Sequence, residues 1–144
     1  IINLGNFEVD MKKNVIMIAA DYQSTLFSEA ASASFHADGW QVYSLGDMSS
    51  SIDVLFDLDL QKFLTKVWKS GMGIMVIVIF SSTAESMKFF AESVNSIKLK
   101  SRKNLYLAVC GDMKKNTEIK ADLVEEDIQA VLQWSQTTFE SSIS

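Results

Sequence analysis

The chain contains no proline, one cysteine, one histidine and only six glycines in 144 residues. A lone Cys110 excludes an internal disulfide and fits a reducing, cytoplasmic setting. With His36 and Cys110 the sole residues of their kinds, no Ser/His/Asp, Cys/His or metal-ligand cluster can be assembled. The absence of proline carries no functional message. The longest apolar run, Met72 to Phe80, is far too short to span a bilayer, and no secretory signal is visible. Positive charge is also scarce: the net charge is −5, and Lys98, Lys100, Arg102 and Lys103 form only a short run that reads as a solvated loop. Direct nucleic-acid binding and membrane association are therefore not expected. Residues 1–13 read as an extension or linker of a longer protein, with Met11 just before the first strand, and 141–144 as a tail.

With 48% hydrophobic residues, the chain can form one globular domain with a real core over residues 14–140. Strands are predicted at Val15–Ala20, Trp40–Leu45, Gly73–Phe80 and Leu105–Cys110, with a short one near Ala121–Val124. Helices are predicted at Ser24–Ala37, Leu58–Lys69, Glu85–Ile97 and Glu125–Phe139. Glu125, Glu126 and Asp127 would occupy the last helix's first turn, where the dipole favours them. Alternating strands and helices of this length imply an α/β fold: a flavodoxin-like (Rossmann-like) five-stranded parallel sheet with helices on both faces. Its ligand crevice would lie at the carboxyl ends of the strands.

Several ligands of such a fold are excluded by missing residues. A receiver domain needs an acidic pair after its first strand and an aspartate ending the third; here these strands end in Ala20-Asp21 and Phe80. A phosphate-binding loop or dinucleotide fingerprint needs glycine after the first strand, and residues 21–27 contain none.

Other features, at specific spacings, resemble cobalamin-binding domains over roughly residues 14–139. Gly39-Trp40 with Val42 and Leu45-Gly46 gives a "GWxVxxLG" second strand. Ser81-Ser82-Thr83 matches the family's Ser/Thr turn after the third strand, and Cys110-Gly111 half keeps a Gly-Gly after the fourth. The segment Lys120–Leu132 matches the last strand and helix. The family's D-x-H-x-x-G motif is lost: Tyr22 stands at the aspartate, Ser24 at the cobalt-ligating histidine and Phe27 at the glycine. The resemblance implies that histidine-on corrinoid binding is lost, with Phe27 filling the slot for the nucleotide tail and Cys110 narrowing its far end. Within the family, the chain is most similar to sensor domains of bacterial light- and redox-responsive regulators that hold heme instead of cobalamin. The departure from that likeness is iron ligation: His36, the only histidine, falls near the end of the first helix and not in the loop at the crevice, and Cys110, at a strand end by the crevice, is the alternative ligand.

Each residue also has a plainer reading. Asp21 suits a helix N-cap or loop role better than a catalytic one. Ser81, Ser82 and Thr83 either contact a ligand or form a helix N-cap pattern, with Ser82 preceding Glu85 by three. His36 near a helix end would compensate the dipole, and Cys110 would be a small packing residue. Trp40, Trp68, Trp134 and the seven methionines read as packing residues. The small-residue run Ala30–Ser34 permits close packing. Asp47, Asp53, Asp57 and Asp59 read as a solvated acidic surface, with a weak divalent-cation site as the alternative.

The expectation is a non-catalytic sensory or regulatory domain of a bacterial, photoreceptor-associated signalling protein. It would bind a tetrapyrrole, heme in preference to cobalamin, or a partner such as another signalling domain or regulator. The alternatives are a pure interaction module with a closed crevice, and a corrinoid domain of a methyltransferase or mutase.

Overall fold

A computed structural model describes residues 10–52, 55–68, 72–100, 104–111 and 119–143. The strands are β1 (Lys13–Ala19), β2 (Gln41–Asp47), β3 (Ile74–Phe80), β4 (Leu105–Cys110) and β5 (Leu123–Glu125). The helices are α1 (Thr25–Ala37), α2 (Phe56–Val67), α3 (Ala84–Lys100) and α4 (Ile128–Ser142). The strands form one parallel sheet in the order β2-β1-β3-β4-β5, the flavodoxin-like arrangement expected from the alternation.

The central strand β3 is apolar at every position because helices cover both its faces, and all seven of its residues are buried. Ile77 sits between Ile16 of β1 and Leu107 of β4, so the sheet's middle is a continuous apolar layer. On one face, α2 contributes Phe56, Leu60 and Leu64 at four-residue spacing, and α3 contributes Met87, Phe90, Val94 and Ile97. Phe90 meets both Phe56 and Phe89 there edge to face, with Phe56–Phe90 ring centroids 4.9 Å apart. On the other face, α1 and α4 bury Ala31, Phe35, Val131 and Phe139 around Trp40.

The amino edge of the sheet is tied together by one lysine. Lys13 is buried; its Nζ donates to the Asp38 carbonyl at 2.9 Å and lies 5.3 Å from the Trp40 ring and 5.6 Å from that of Phe139. Residues 10–13, expected to belong to an extension, are thus tied to the domain: Asp10 N donates to Gly39 O, and Lys13 already pairs in β1. Residues 1–9 lie outside the described residues.

Some boundaries differ from expectation for identifiable reasons. Glu125 is not in the last helix but ends β5, paired with Cys110. Asp127 is the N-cap of α4, its carboxylate accepting from Gln129 N at 3.1 Å. Thr83, rather than Ser82, caps α3, accepting from Ser86 N at 3.2 Å. Lys98 and Lys100 belong to the last turn of α3 rather than a loop, where they suit the dipole's negative end, and Lys98 pairs with Asp122. Lys69, Arg102 and Lys103 lie outside the described residues.

Gly73, just before β3, has φ +72°, and a Cβ there would meet Lys12 O at 2.1 Å. Gly73→Ala combines a left-handed backbone with a backbone clash. It is expected to destabilise by at least about 2 kcal/mol, measured as a lowered urea midpoint at unchanged m-value.

Candidate functional site

The carboxyl ends of β1, β3 and β4 converge on one crevice. Beyond β1 the chain turns at Asp21, whose extended backbone leads into a 3-10 turn, Tyr22–Ser24, and then into α1. The Asp21 carboxylate serves two turns at once. Its Oδ1 accepts from Ser24 N at 3.0 Å and Ser24 Oγ at 2.7 Å, which caps the local turn. Its Oδ2 accepts from Ser82 N at 2.8 Å and Ser82 Oγ at 2.9 Å, across to the turn after β3. Ser81 Oγ lies 3.3 Å from the same oxygen but donates more closely to Thr83 O, at 2.7 Å. Partial burial opposes ionisation of Asp21, yet the Ser82 and Ser24 donors outweigh it and hold its pKa below the ordinary value. Asp21 therefore takes the capping role, extended to a second loop.

Behind this clamp lies a cavity of ≈330 Å³, with Ser24, Phe27, Phe80, Ser81, Cys110 and Gly111 among its walls. Gly111 must be glycine, because a Cβ would stand 2.5 Å from the Ser81 carbonyl oxygen. Phe27, expected to fill the tail slot, does not: the residue is 61% exposed and stands at the cavity's wall. A helix residue one position from buried Ser28 points outward, so the ring borders the opening. Cys110 does sit at the inner end, 5% exposed. Burial, with Asp127, Glu125 and Glu126 adding negative potential, pushes its thiol up to about 11. Sequence reading missed Gln23, Phe80 and Glu126 as wall residues. Gln23 and Glu126 were legible in principle, since both closely follow strand ends at the carboxyl edge.

The expected metal ligand His36 is not in this crevice. In a parallel sheet α1 starts at the carboxyl edge and ends at the amino edge, about 20 Å away for thirteen residues. His36 lies in its last turn, near Asp38, whose carbonyl binds Lys13 at the start of β1. Ser24 cannot replace a cobalt-ligating imidazole, because its buried hydroxyl is committed to Asp21. Neither His36 nor Ser24 thus supplies an axial ligand in the crevice, and the cavity there is of a size for a ligand's tail.

Tyr22 is 78% exposed and faces solvent on the 3-10 turn. Of the four aspartates considered as a cation site, Asp47 accepts from Ser49 N, and Asp57 and Asp59 lie in the first turn of α2; Asp53 lies outside the described residues. Among the described residues, no three carboxylate, histidine or cysteine groups come together to hold a metal. Among the described residues, Asp47, Asp57, Asp59, Glu85 and Asp127 lie at the carboxyl edge, and Lys66, Lys98 and Lys100 lie in last turns at the amino edge, where Asp38 and Glu140 also stand.

No family model and no curated protein matches the chain. Among solved structures, its fold is similar to that of the Methanosarcina barkeri monomethylamine corrinoid protein, with a TM-score of 0.66 at 16% identity. The match covers 88% of this chain and 57% of that protein, so the chain spans little more than half of its length. At that identity the likeness is one of fold. No described helix is long and apolar enough to cross a membrane.

Two outcomes are expected from the site geometry. Asp21→Ala removes the acceptor shared by two turns and should cost about 1–2 kcal/mol by denaturant titration at neutral pH. Because folding lowers the Asp21 pKa below 3.8, this contribution is complete above that pH and is lost as pH falls through the lower folded value. Cys110, shifted from 9.0 to about 11, should carry roughly a hundredfold less thiolate at pH 8 than an unshifted thiol. Iodoacetamide labelling of the folded chain should be slower by at least that factor than in denaturant.

Proposed function

We propose that this domain is a non-catalytic regulatory module that binds a corrinoid, or a similarly tailed planar ligand, at the carboxyl edge of its sheet without a protein ligand to the metal. The observation that carries this reading is the open cavity beneath the Asp21–Ser82 clamp, in a fold shared with a corrinoid protein. Its volume lies at the small end of ligand pockets, enough for a tail and not for a whole macrocycle. The macrocycle would rest against the rim, where Phe27 is exposed.

The sequence favoured heme, and the geometry weakens that preference. Of its two candidate iron ligands, His36 lies away from the crevice, and Cys110 sits in a cavity of ≈330 Å³ that is too small for a macrocycle. Non-catalytic action is supported by the engagement of Asp21 and Ser24 with each other and with the neighbouring turn, which leaves neither free to act as an acid or base in the cavity. Regulation would follow from the clamp: a ligand that separates the two turns shifts their populations, and a neighbouring domain of the larger protein reads the change.

A second reading, an interaction module that takes no small ligand, is favoured by the exposure of Tyr22, Leu26 and Phe27 together at one rim, 78%, 77% and 61%. Visible absorption titrations with hydroxocobalamin and, separately, hemin divide the two. A saturable cobalamin shift near one equivalent, abolished by Cys110→Leu at the cavity's inner end, is the expected result. A hemin shift alone restores the heme sensor, and no shift with either leaves the interaction module.

A further inference from the structure

We propose that the outer face of α1 is a homodimer interface, on which a second copy of this chain packs its own α1 antiparallel, with Glu29 of each chain beside His36 of the other. This goes beyond both readings of the crevice and depends on neither.

Helix α1 turns Ser28, Ala31 and Phe35 toward the sheet. A surface helix ordinarily carries charged residues on its opposite side. Helix α2 does so with exposed Asp59, Lys62 and Lys66, and α3 with exposed Glu85, Lys88, Glu92 and Lys100. The outermost ridge of α1 is instead Leu26, Ala30, Ala33 and Ala37, all of them exposed, Leu26 by 77%. Phe27 flanks this ridge and is 61% exposed. Glu29 is the only carboxylate in the thirteen residues of α1, which include no lysine or arginine. A helix that is apolar on both sides belongs where both sides are covered.

The ridge residues are spaced by four, three and four, the seam over which two helices pack knobs into holes. Alanine at three of the four seam positions lets a second helix approach closely. Charge complementarity identifies that helix. Glu29 and His36 are seven residues apart, so they share one flank of the seam, within about 20° of each other. A twofold axis between antiparallel copies keeps each flank on its own side and reverses the helix direction. With Ala30 opposite the partner's Ala33, and Leu26 opposite the partner's Ala37, Glu29 comes beside the partner's His36, and the contact occurs twice. An imidazole donates to a carboxylate whether it is neutral or protonated. Antiparallel packing also sets each helix N-terminus near the oppositely charged C-terminus of its partner. A parallel pair would bring like ends together.

The size of the face sets the strength. Thirteen residues make a seam about 20 Å long, which is too small for the roughly 800 Å² per partner of a standard interface. The dimer is therefore a weak one, with a dissociation constant of roughly 10–300 μM.

The test is analytical ultracentrifugation of the 144-residue chain, without added ligand, from about 5 μM to about 1 mM. A monomer–dimer equilibrium is expected. A33E puts a carboxylate at the centre of the seam on both chains, and should leave a monomer throughout that range. Because Ala33 is exposed, the melting temperature should stay within about 2 °C. H36E sets two carboxylates against each other at both contacts and should weaken the dimer at least about fivefold. E29K/H36E restores opposite charges and should bring the dissociation constant back to within about twofold. A monomer at every concentration overturns the proposal, as does an A33E variant that dimerises unchanged. E29K/H36E dimerising no better than H36E would overturn the antiparallel register. None of these readouts involves the Cys110 cavity, so failure here is distinct from failure of hydroxocobalamin to bind.

Discussion

One carboxylate holds the working edge of this domain in shape. Asp21 closes the turn after β1 with one oxygen and reaches the turn after β3 with the other. The features of the crevice are placed relative to that bridge: Ser24 is drawn inward, the Ser81–Thr83 turn is fixed against β1, and Thr83 is left to cap α3. Gly111 completes the arrangement by letting the end of β4 pass so near Ser81 that a Cβ would stand 2.5 Å from its carbonyl oxygen. A parallel sheet brings these strand ends together, but it does not set loop positions; side-chain hydrogen bonds do that.

The layered fold was legible because its signals are repeated. The seven-residue apolar run of β3 and the helical spacing of Met87, Phe90, Val94 and Ile97 each leave one consistent placement, whereas Phe56, outside the predicted helix, proves to open α2. The boundaries were harder where polar residues had several uses. Glu125, Glu126 and Asp127 look alike in sequence, yet one ends β5, one borders the cavity and one caps α4, a division set by where β4 supplies a pairing partner.

The site was half legible for a related reason. Position relative to strand ends brought Asp21, Ser24, Ser81, Ser82, Cys110 and Gly111 to one crevice. What each side chain does there depends on orientation, which spacing does not give. Phe27 was placed at the family's glycine and expected to turn inward, but on α1 the inward positions are Ser28, Ala31 and Phe35. His36 drew attention as the only histidine, although a helix that begins at the crevice must carry its last turn away from it. The Asp21–Ser82 contact spans sixty-one residues, and no local pattern announces it.

The bridge also bears on what a ligand would have to do at this edge. Ser24 is folded back onto Asp21, so the first loop satisfies itself. A ligand entering between the two turns must offset the Asp21–Ser82 hydrogen bonds, on the order of 1–3 kcal/mol for bonds to a charged acceptor. That lowers affinity by roughly ten- to a hundredfold relative to a loop already open. On the proposed regulatory reading the same cost would make the loops responsive, because occupied and empty states would differ in a defined contact and not merely in occupancy. For a catalyst that must retain its cofactor, such a closed loop is a handicap; for a domain whose output is the difference between two loop states, it is the means of producing that difference.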